Sequence, residues 1–224
     1  MARGEGEARL PLDPRAWGLY VITDRHQTGR RSLDAVIAEA LAGGARAFQL
    51  REKDLPARDL CRLAEALLAR IRAAGALLLI NDRVDVTLGI GADGVHLTRR
   101  SLPPAVARAL LRPGMLLGVS CHSLEEALEA AEGGADFVLL GPIFATPSKA
   151  AYGPPVGPGL IRQVRPAVAC PILGVGGITA ANAGEVLAAG ADGVAVISAV
   201  MGAPDVVAAT RALLTAVRRA GRPA

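Results

Sequence analysis

The chain has 224 residues, 51% of them apolar and 3% aromatic, which is enough to bury a substantial core. Its 25 Lys and Arg against 21 Asp and Glu leave a net charge of +4 that is mixed along the chain, so no dedicated nucleic-acid surface is expected. The three cysteines, Cys61, Cys121 and Cys170, are odd in number and lack metal-type spacing, which argues against a disulfide framework or zinc site, and no apolar run is long enough to span a membrane.

Residues 1–15 read as a flexible lead-in, and residues 16–220 as one catalytic domain. The opening "MARGEGEARLPLDPRAW" is polar and has no apolar centre for a signal peptide, so a reducing cytoplasm is the expected location. "GLYVITD" (18–24) then reads as a strand and "LDAVIAEALAGG" (33–44) as a helix ending at glycine. "RAFQLRE" (46–52) is the second strand, and "ARDLCRLAEALLARIRAAG" (57–75) has helical periodicity. "ALLLIND" (76–82), a short helix, "GVHLT" (94–98) and the helix "PPAVARALL" (103–111) follow. "LLGVSCH" (116–122) leads into "SLEEALEAAEGG" (123–134), a helix opened by the capping box Ser123 to Glu126. "DFVLLGPI" (136–143) precedes a Gly/Pro-rich loop, long enough for a lid, and a short helix near 159–165. The series ends with "CPILGVGG" (170–177), "TAANAGEVLAAG" (179–190), "GVAVISAV" (193–200) and "APDVVAATRALLTAVRRA" (203–220).

These are eight strands and eight helices in alternation. The strands are continuous apolar runs, as parallel strands buried on both faces are. Eight βα units in this length predict an α/β fold, a single-domain (β/α)₈ TIM barrel, with a doubly wound sheet as the alternative. "GGARAF", "IGADGV", "GGADFV" and "AGADGV" recur where a helix hands over to the next strand.

Such a barrel works at the C-terminal ends of its strands, and polar residues gather there. Thr23 and Asp24 end strand 1; Gln49, Arg51 and Lys53 end strand 2; Asn81 and Asp82 end strand 3. His96 lies in strand 4, Ser120 and His122 end strand 5, and Thr146 to Lys149 follow strand 6. Each has a plainer reading. His96 is equally a core histidine or a substrate contact, Asp82 equally a cap for the next helix, and Arg51 and Lys53 could be solvated. Gly176 and Gly177 after strand 7, with Ile197 and Ser198 after strand 8, occupy the corner where these barrels bind phosphate. Arg51, Lys53 and Lys149 could hold a second, more highly charged group, and Asp82 could carry Mg²⁺. The residues point to an enzyme acting on one or two phosphorylated small molecules.

With "QLREK", "NDRVDV", "GADGVHL", "GVSCHS", "GPIFATPSK" and "GVGGIT…GADGVAVIS" in order, residues 18–215 resemble the thiamine-phosphate synthase and thiazole tautomerase superfamily. The resemblance implies a (β/α)₈ barrel that joins hydroxymethylpyrimidine pyrophosphate to thiazole phosphate. It implies that Gln49, Arg51, Lys53, Asn81 and Lys149 bind the pyrimidine pyrophosphate, with Ser120 near the pyrimidine and Asp82 a Mg²⁺ ligand. Thr146, Ser148, Gly177, Ile197 and Ser198 would hold the thiazole phosphate. One departure stands out. After "GVHL" the synthases carry Gly-Gln-x-Asp, whose Asp is a second Mg²⁺ ligand; here the stretch is Thr98-Arg99-Arg100-Ser101. The tautomerases also lack that Asp, and in a tautomerase His122 would move the proton. Retention of Arg51, Lys53, Asn81 and Asp82 favours the synthase. A non-catalytic regulator that binds thiazole phosphate is a further alternative, and a homodimer is compatible with the sequence.

Overall fold

Eight apolar runs of four to six residues form the strands: β1 (Leu19–Ile22), β2 (Ala47–Leu50), β3 (Leu77–Asn81), β4 (Gly94–Leu97), β5 (Leu116–Cys121), β6 (Phe137–Leu140), β7 (Ile172–Val175) and β8 (Gly193–Val196). Each pairs in parallel with the next, and β8 returns to β1 through Tyr20 opposite Ala195, closing the barrel. The structure is a computed structural model that describes residues 13–146 and 154–221. Among those residues the helices are α1 (Leu33–Ala42), α2 (Ala57–Ala73), α3 (Val84–Ile90), α4 (Pro104–Leu110), α5 (Leu124–Glu132), α6 (Gly157–Val164), α7 (Ala183–Ala188), α8 (Ser198–Met201) and α9 (Val206–Ala220). The expected TIM barrel is the observed fold.

Strand side chains alternate between faces, so the barrel has two cores. Tyr20, Leu77, Leu79, Phe137, Leu139 and Leu173 fill the inside. Leu19, Val21, Leu78, Ile80, Val138 and Leu140 pack outward against the helices. Helix α2 shows how a sequence pattern meets that outer core. Its buried residues Leu60, Ala64, Leu67, Leu68 and Ile71 recur at helical spacing and form one apolar stripe.

The recurring "GAD" handover has a defined purpose at the N-terminal rim. The carboxylates of Asp93, Asp136 and Asp192 accept hydrogen bonds from the backbone N–H groups of Leu78, Leu117 and Ile172, each on an adjoining strand. Arg72, Arg108 and Arg165 complete the three brackets.

One element differs from expectation. The run 193–200 was expected to be strand throughout, yet β8 stops at Val196 and Ser198 to Met201 turn helical as α8. A short apolar run fits either element by periodicity; here Val200 and Met201 are buried in the outer core from a helical turn. Of the proposed lead-in, residues 1–12 lie outside the described residues. Asp13 caps a 3₁₀ turn over Pro14–Ala16, and Arg15 donates to the carbonyl of Ala169 at 2.8 Å. No helix among the described residues is long and apolar enough to cross a membrane.

Candidate active site

The C-terminal mouth of the barrel is polar inside. Gln49, on β2, is buried and donates from Nε2 to the Tyr20 hydroxyl at 3.3 Å. His96, on β4, is 1% exposed and has Nε2 at 2.8 Å from Ser120 Oγ on β5. Its ring lies among the rings of Tyr20 and Phe137, with centroids 5.9 and 5.7 Å away. Gly118 makes room for it, since a Cβ there would stand 2.6 Å from His96 Nδ1 and 2.3 Å from the Phe137 ring. Burial, assisted by the positive charge of Arg51, pushes the His96 pKa down to about 3. His96 is therefore a neutral imidazole that engages a rim serine, and Arg51 lies within electrostatic reach of it.

The end of β3 is strained and incompletely satisfied. Asp82 has φ of 67°, and among the described residues it alone of the non-glycines has positive φ. Its N–H is held by the carbonyl of His96 at 2.8 Å. Helix α3 starts at Val84, and its N-cap residue, Arg83, makes no side-chain cap, so the capping role considered for Asp82 is not the one it takes. Beside it, Asn81 Oδ1 is buried without a hydrogen-bond partner. Such strain and such orphaned polar atoms concentrate at functional sites. Ser101 Oγ accepts from the N–H of Thr98 at 2.8 Å and closes the turn after β4. Among the described residues no group of three or more His, Cys, Asp or Glu is placed to hold a metal ion.

His122 is half-buried after β5. The predicted capping box at Ser123 forms on one side only: Ser123 Oγ accepts from the N–H of Glu126 at 3.2 Å. The Glu126 carboxylate reaches one residue further back than the usual box, to the His122 N–H at 2.7 Å and to Nδ1 at 3.0 Å. Arg99 stands 4.0 Å from the same carboxylate.

Across the mouth, Gly176 and Gly177 have φ of 100° and 63°. A Cβ on Gly177 would lie 2.6 Å from the carbonyl oxygen of Ala145 and 2.8 Å from Phe144 Cβ, so only glycine fits this close approach. Backbone bonds from Ile143 to Val175 and from Phe144 to Gly176 tie the segment after β6 to the end of β7. Ile197 is half-buried at the end of β8, and Ser198, exposed, opens α8. Thr146 is described beside this corner; Ser148 and Lys149 lie outside the described residues, as does most of the loop read as a lid.

The expected residues thus fall into two groups on one rim. Gln49, Arg51, Lys53, Asn81, Asp82 and Ser120 gather on β2, β3 and β5, and Thr146, Gly177, Ile197 and Ser198 on β6 to β8. The sequence reading passed over Tyr20 and Glu52. Tyr20 read as one apolar strand residue among several; Glu52 was hidden in a run of charges. A cleft of about 320 Å³ opens at the opposite end, beside Arg108 and Asp136, but those two charges are committed to each other and to the main chain.

A family model described as thiamine monophosphate synthase matches residues 19–200. The thiamine-phosphate synthase of Roseiflexus castenholzii is 53% identical over 195 residues, 87% of this chain and 86% of that protein. The thiamine-phosphate synthase of Moorella thermoacetica is 50% identical over 204 residues, 91% of this chain and 97% of that protein. Among solved structures, a thiamine phosphate pyrophosphorylase from Pyrococcus furiosus superposes with a TM-score of 0.84 at 41% identity, covering 92% of this chain and 98% of that one.

Proposed function

The chain belongs to the thiamine monophosphate synthase family, and from that premise we propose how its rim carries the reaction. It is a transferase of thiamine biosynthesis acting on small phosphorylated substrates. Hydroxymethylpyrimidine pyrophosphate and thiazole phosphate are joined to give thiamine phosphate and pyrophosphate. The relatives named above lend no support to the thiazole tautomerase alternative.

The observation that carries the assignment of roles is that the Leu50–Ile80 pairing brings the start of the segment carrying the cation Arg51 level with the strained Asn81–Asp82 end of the neighbouring strand. Arg51 and Lys53 bind the pyrophosphate, and Gln49 and Ser120 orient the pyrimidine. Lys149, for the pyrophosphate, and Ser148, for the thiazole phosphate, are assigned by the family resemblance alone, since both lie outside the described residues. Gly177, Ile197, Ser198 and Thr146 hold the thiazole phosphate through backbone N–H groups and hydroxyls. The orphaned Asn81 Oδ1 and the adjacent Asp82 carboxylate are hard oxygen donors, and they fit Mg²⁺ bound by one carboxylate together with substrate phosphate. When bound, the ion would neutralise charge that develops on the departing pyrophosphate.

In the coupling, the bond from the pyrimidine methylene to the pyrophosphate oxygen breaks, and its electron pair leaves with pyrophosphate. Arg51 and Lys53 stabilise that developing charge. The thiazole nitrogen, held by its phosphate across the mouth, supplies the pair for the new C–N bond. Proximity of two fixed substrates is the rest of the catalysis. No proton moves in this step, so His122 is given no part in it.

The test is a coupling assay. Purified protein with both substrates and Mg²⁺ should yield thiamine phosphate and pyrophosphate in equal amounts. No product, with thiazole phosphate still bound, would overturn the assignment and make the Asp-to-Ser difference at Ser101 decisive.

A further inference from the structure

Glu52 stands in sequence between the two cations Arg51 and Lys53, yet its side chain is 1% exposed. A buried carboxylate needs partners, and this one is fully supplied. It accepts from Thr23 Oγ1 at 2.7 Å, from the Arg25 N–H at 3.2 Å and from the Arg25 guanidinium at 3.0 Å. Thr23 is itself fully buried. With its hydroxyl proton given to Glu52, its oxygen accepts from the N–H of Arg51 at 2.9 Å. The Thr23 N–H meanwhile donates to the carbonyl of Gln49 at 2.9 Å. Thr23 thus fixes the main chain on both sides of Leu50, at the two residues whose side chains reach the mouth. Arg25 offsets the charge of Glu52, so the carboxylate does not cancel the field of Arg51. Arg25 is further committed to Asp54 and is not a free anion ligand.

We propose that Thr23 and Glu52 are positioning residues for the pyrophosphate half of the site, forming a bracket that sets where Arg51 meets the substrate. This rests on the reading of Arg51 as a pyrophosphate ligand. The bracket commits a buried charge and a buried hydroxyl to two backbone N–H groups, those of Arg25 and Arg51. Packing alone would be served by apolar residues at both positions.

Thr23→Val keeps the shape and removes both hydrogen bonds, and Thr23→Ser keeps them. Loss of a buried hydrogen-bonded bracket to a charged group is expected to raise KM for the pyrimidine pyrophosphate about tenfold. Thiazole phosphate affinity, measured by calorimetry, should stay within about twofold, and Thr23→Ser should behave as the parent chain. In an Arg51→Ala background, Thr23→Val should add no further loss, because it acts through Arg51. A folded Thr23→Val with unchanged pyrophosphate KM overturns the bracket. So does an equal loss toward both substrates, or full additivity with Arg51→Ala. If Thr23→Val does not fold, Glu52→Gln carries the same readouts. An Arg51→Ala variant with unchanged pyrophosphate affinity would instead overturn the anion reading on which the bracket rests.

Discussion

At the N-terminal rim, Asp93, Asp136 and Asp192 each take a backbone N–H from an adjoining strand, at 2.9, 2.7 and 2.8 Å, and each is paired with an arginine. At the C-terminal rim, Asp82 sits on left-handed backbone, Asn81 Oδ1 has no partner, and Gly176 and Gly177 take positive φ where a Cβ would meet the segment after β6. The same residue type, aspartate before or after a strand, serves opposite ends. At one end its hydrogen-bonding capacity is used up within the fold. At the other, Asp82 is exposed on strained backbone, and the proposed reading gives its carboxylate to what enters the mouth. Stability and activity should therefore separate along the barrel axis.

The strongest way to break that comparison is to change Asp82 or Arg51. Asp82→Asn retains a residue type that tolerates positive φ but removes the charge. It should lower kcat/KM for coupling by roughly 10²–10³-fold, as should Arg51→Ala, by analogy with other losses of transition-state charge stabilisation. Thermal unfolding should shift by less than about 3 °C, the change expected from about 1 kcal/mol in a chain of this size. Full coupling rates in either variant, measured at saturating Mg²⁺, would remove the pyrophosphate from this half of the rim.

The converse variant lies at the other end. Asp93→Ala leaves the Leu78 N–H and the Arg72 guanidinium without their shared acceptor. The Asp93 side chain is 1% exposed and that of Arg72 41%, so the loss is discounted from that of a fully buried pair. It should cost about 2–3 kcal/mol, or roughly 5–10 °C in Tm, with KM for both substrates unchanged well below the transition. A change in KM larger than the change in stability would show that the two ends are coupled.

Much of this division could be read from the chain. The apolar runs gave eight strands because parallel strands are buried on both faces, and the rim polar groups stood out against them. The "GAD" handover was visible as a repeat, but its bracket was not, because each aspartate is satisfied by a backbone N–H on another strand, distant in sequence. Glu52 was invisible for a related reason. Nothing local distinguishes a buried carboxylate from its charged neighbours until Thr23, 29 residues away, is brought beside it. The helical turn after β8 was misread because a short apolar run carries no decisive period. The strain at Asp82 is likewise a backbone property that residue identity does not announce.

His96 sharpens the comparison with the smallest expected effect. It lies inside the barrel near the mouth, bonded to Ser120 at one nitrogen, while Nδ1 is buried without a partner. Its pKa is pushed down to about 3 in the folded state, against an ordinary value of about 6.5 in the unfolded chain. Between those values the unfolded state binds a proton that the folded state does not. The residue therefore costs stability progressively as pH falls below about 6.5, and contributes no such cost above it. Comparing the parent with His96→Gln by urea unfolding cancels the carboxylates common to both. The parent should lose about 1.4 kcal/mol per pH unit more than the variant between about pH 6 and pH 4, and the two should converge in slope above pH 7. Identical slopes would mean that the folded protein accepts the proton at His96 and that the mouth is wetter than its geometry indicates. A steeper parent would show that His96 stays neutral in the folded barrel, a group whose burial weakens the acid limb of stability while it is bonded to Ser120.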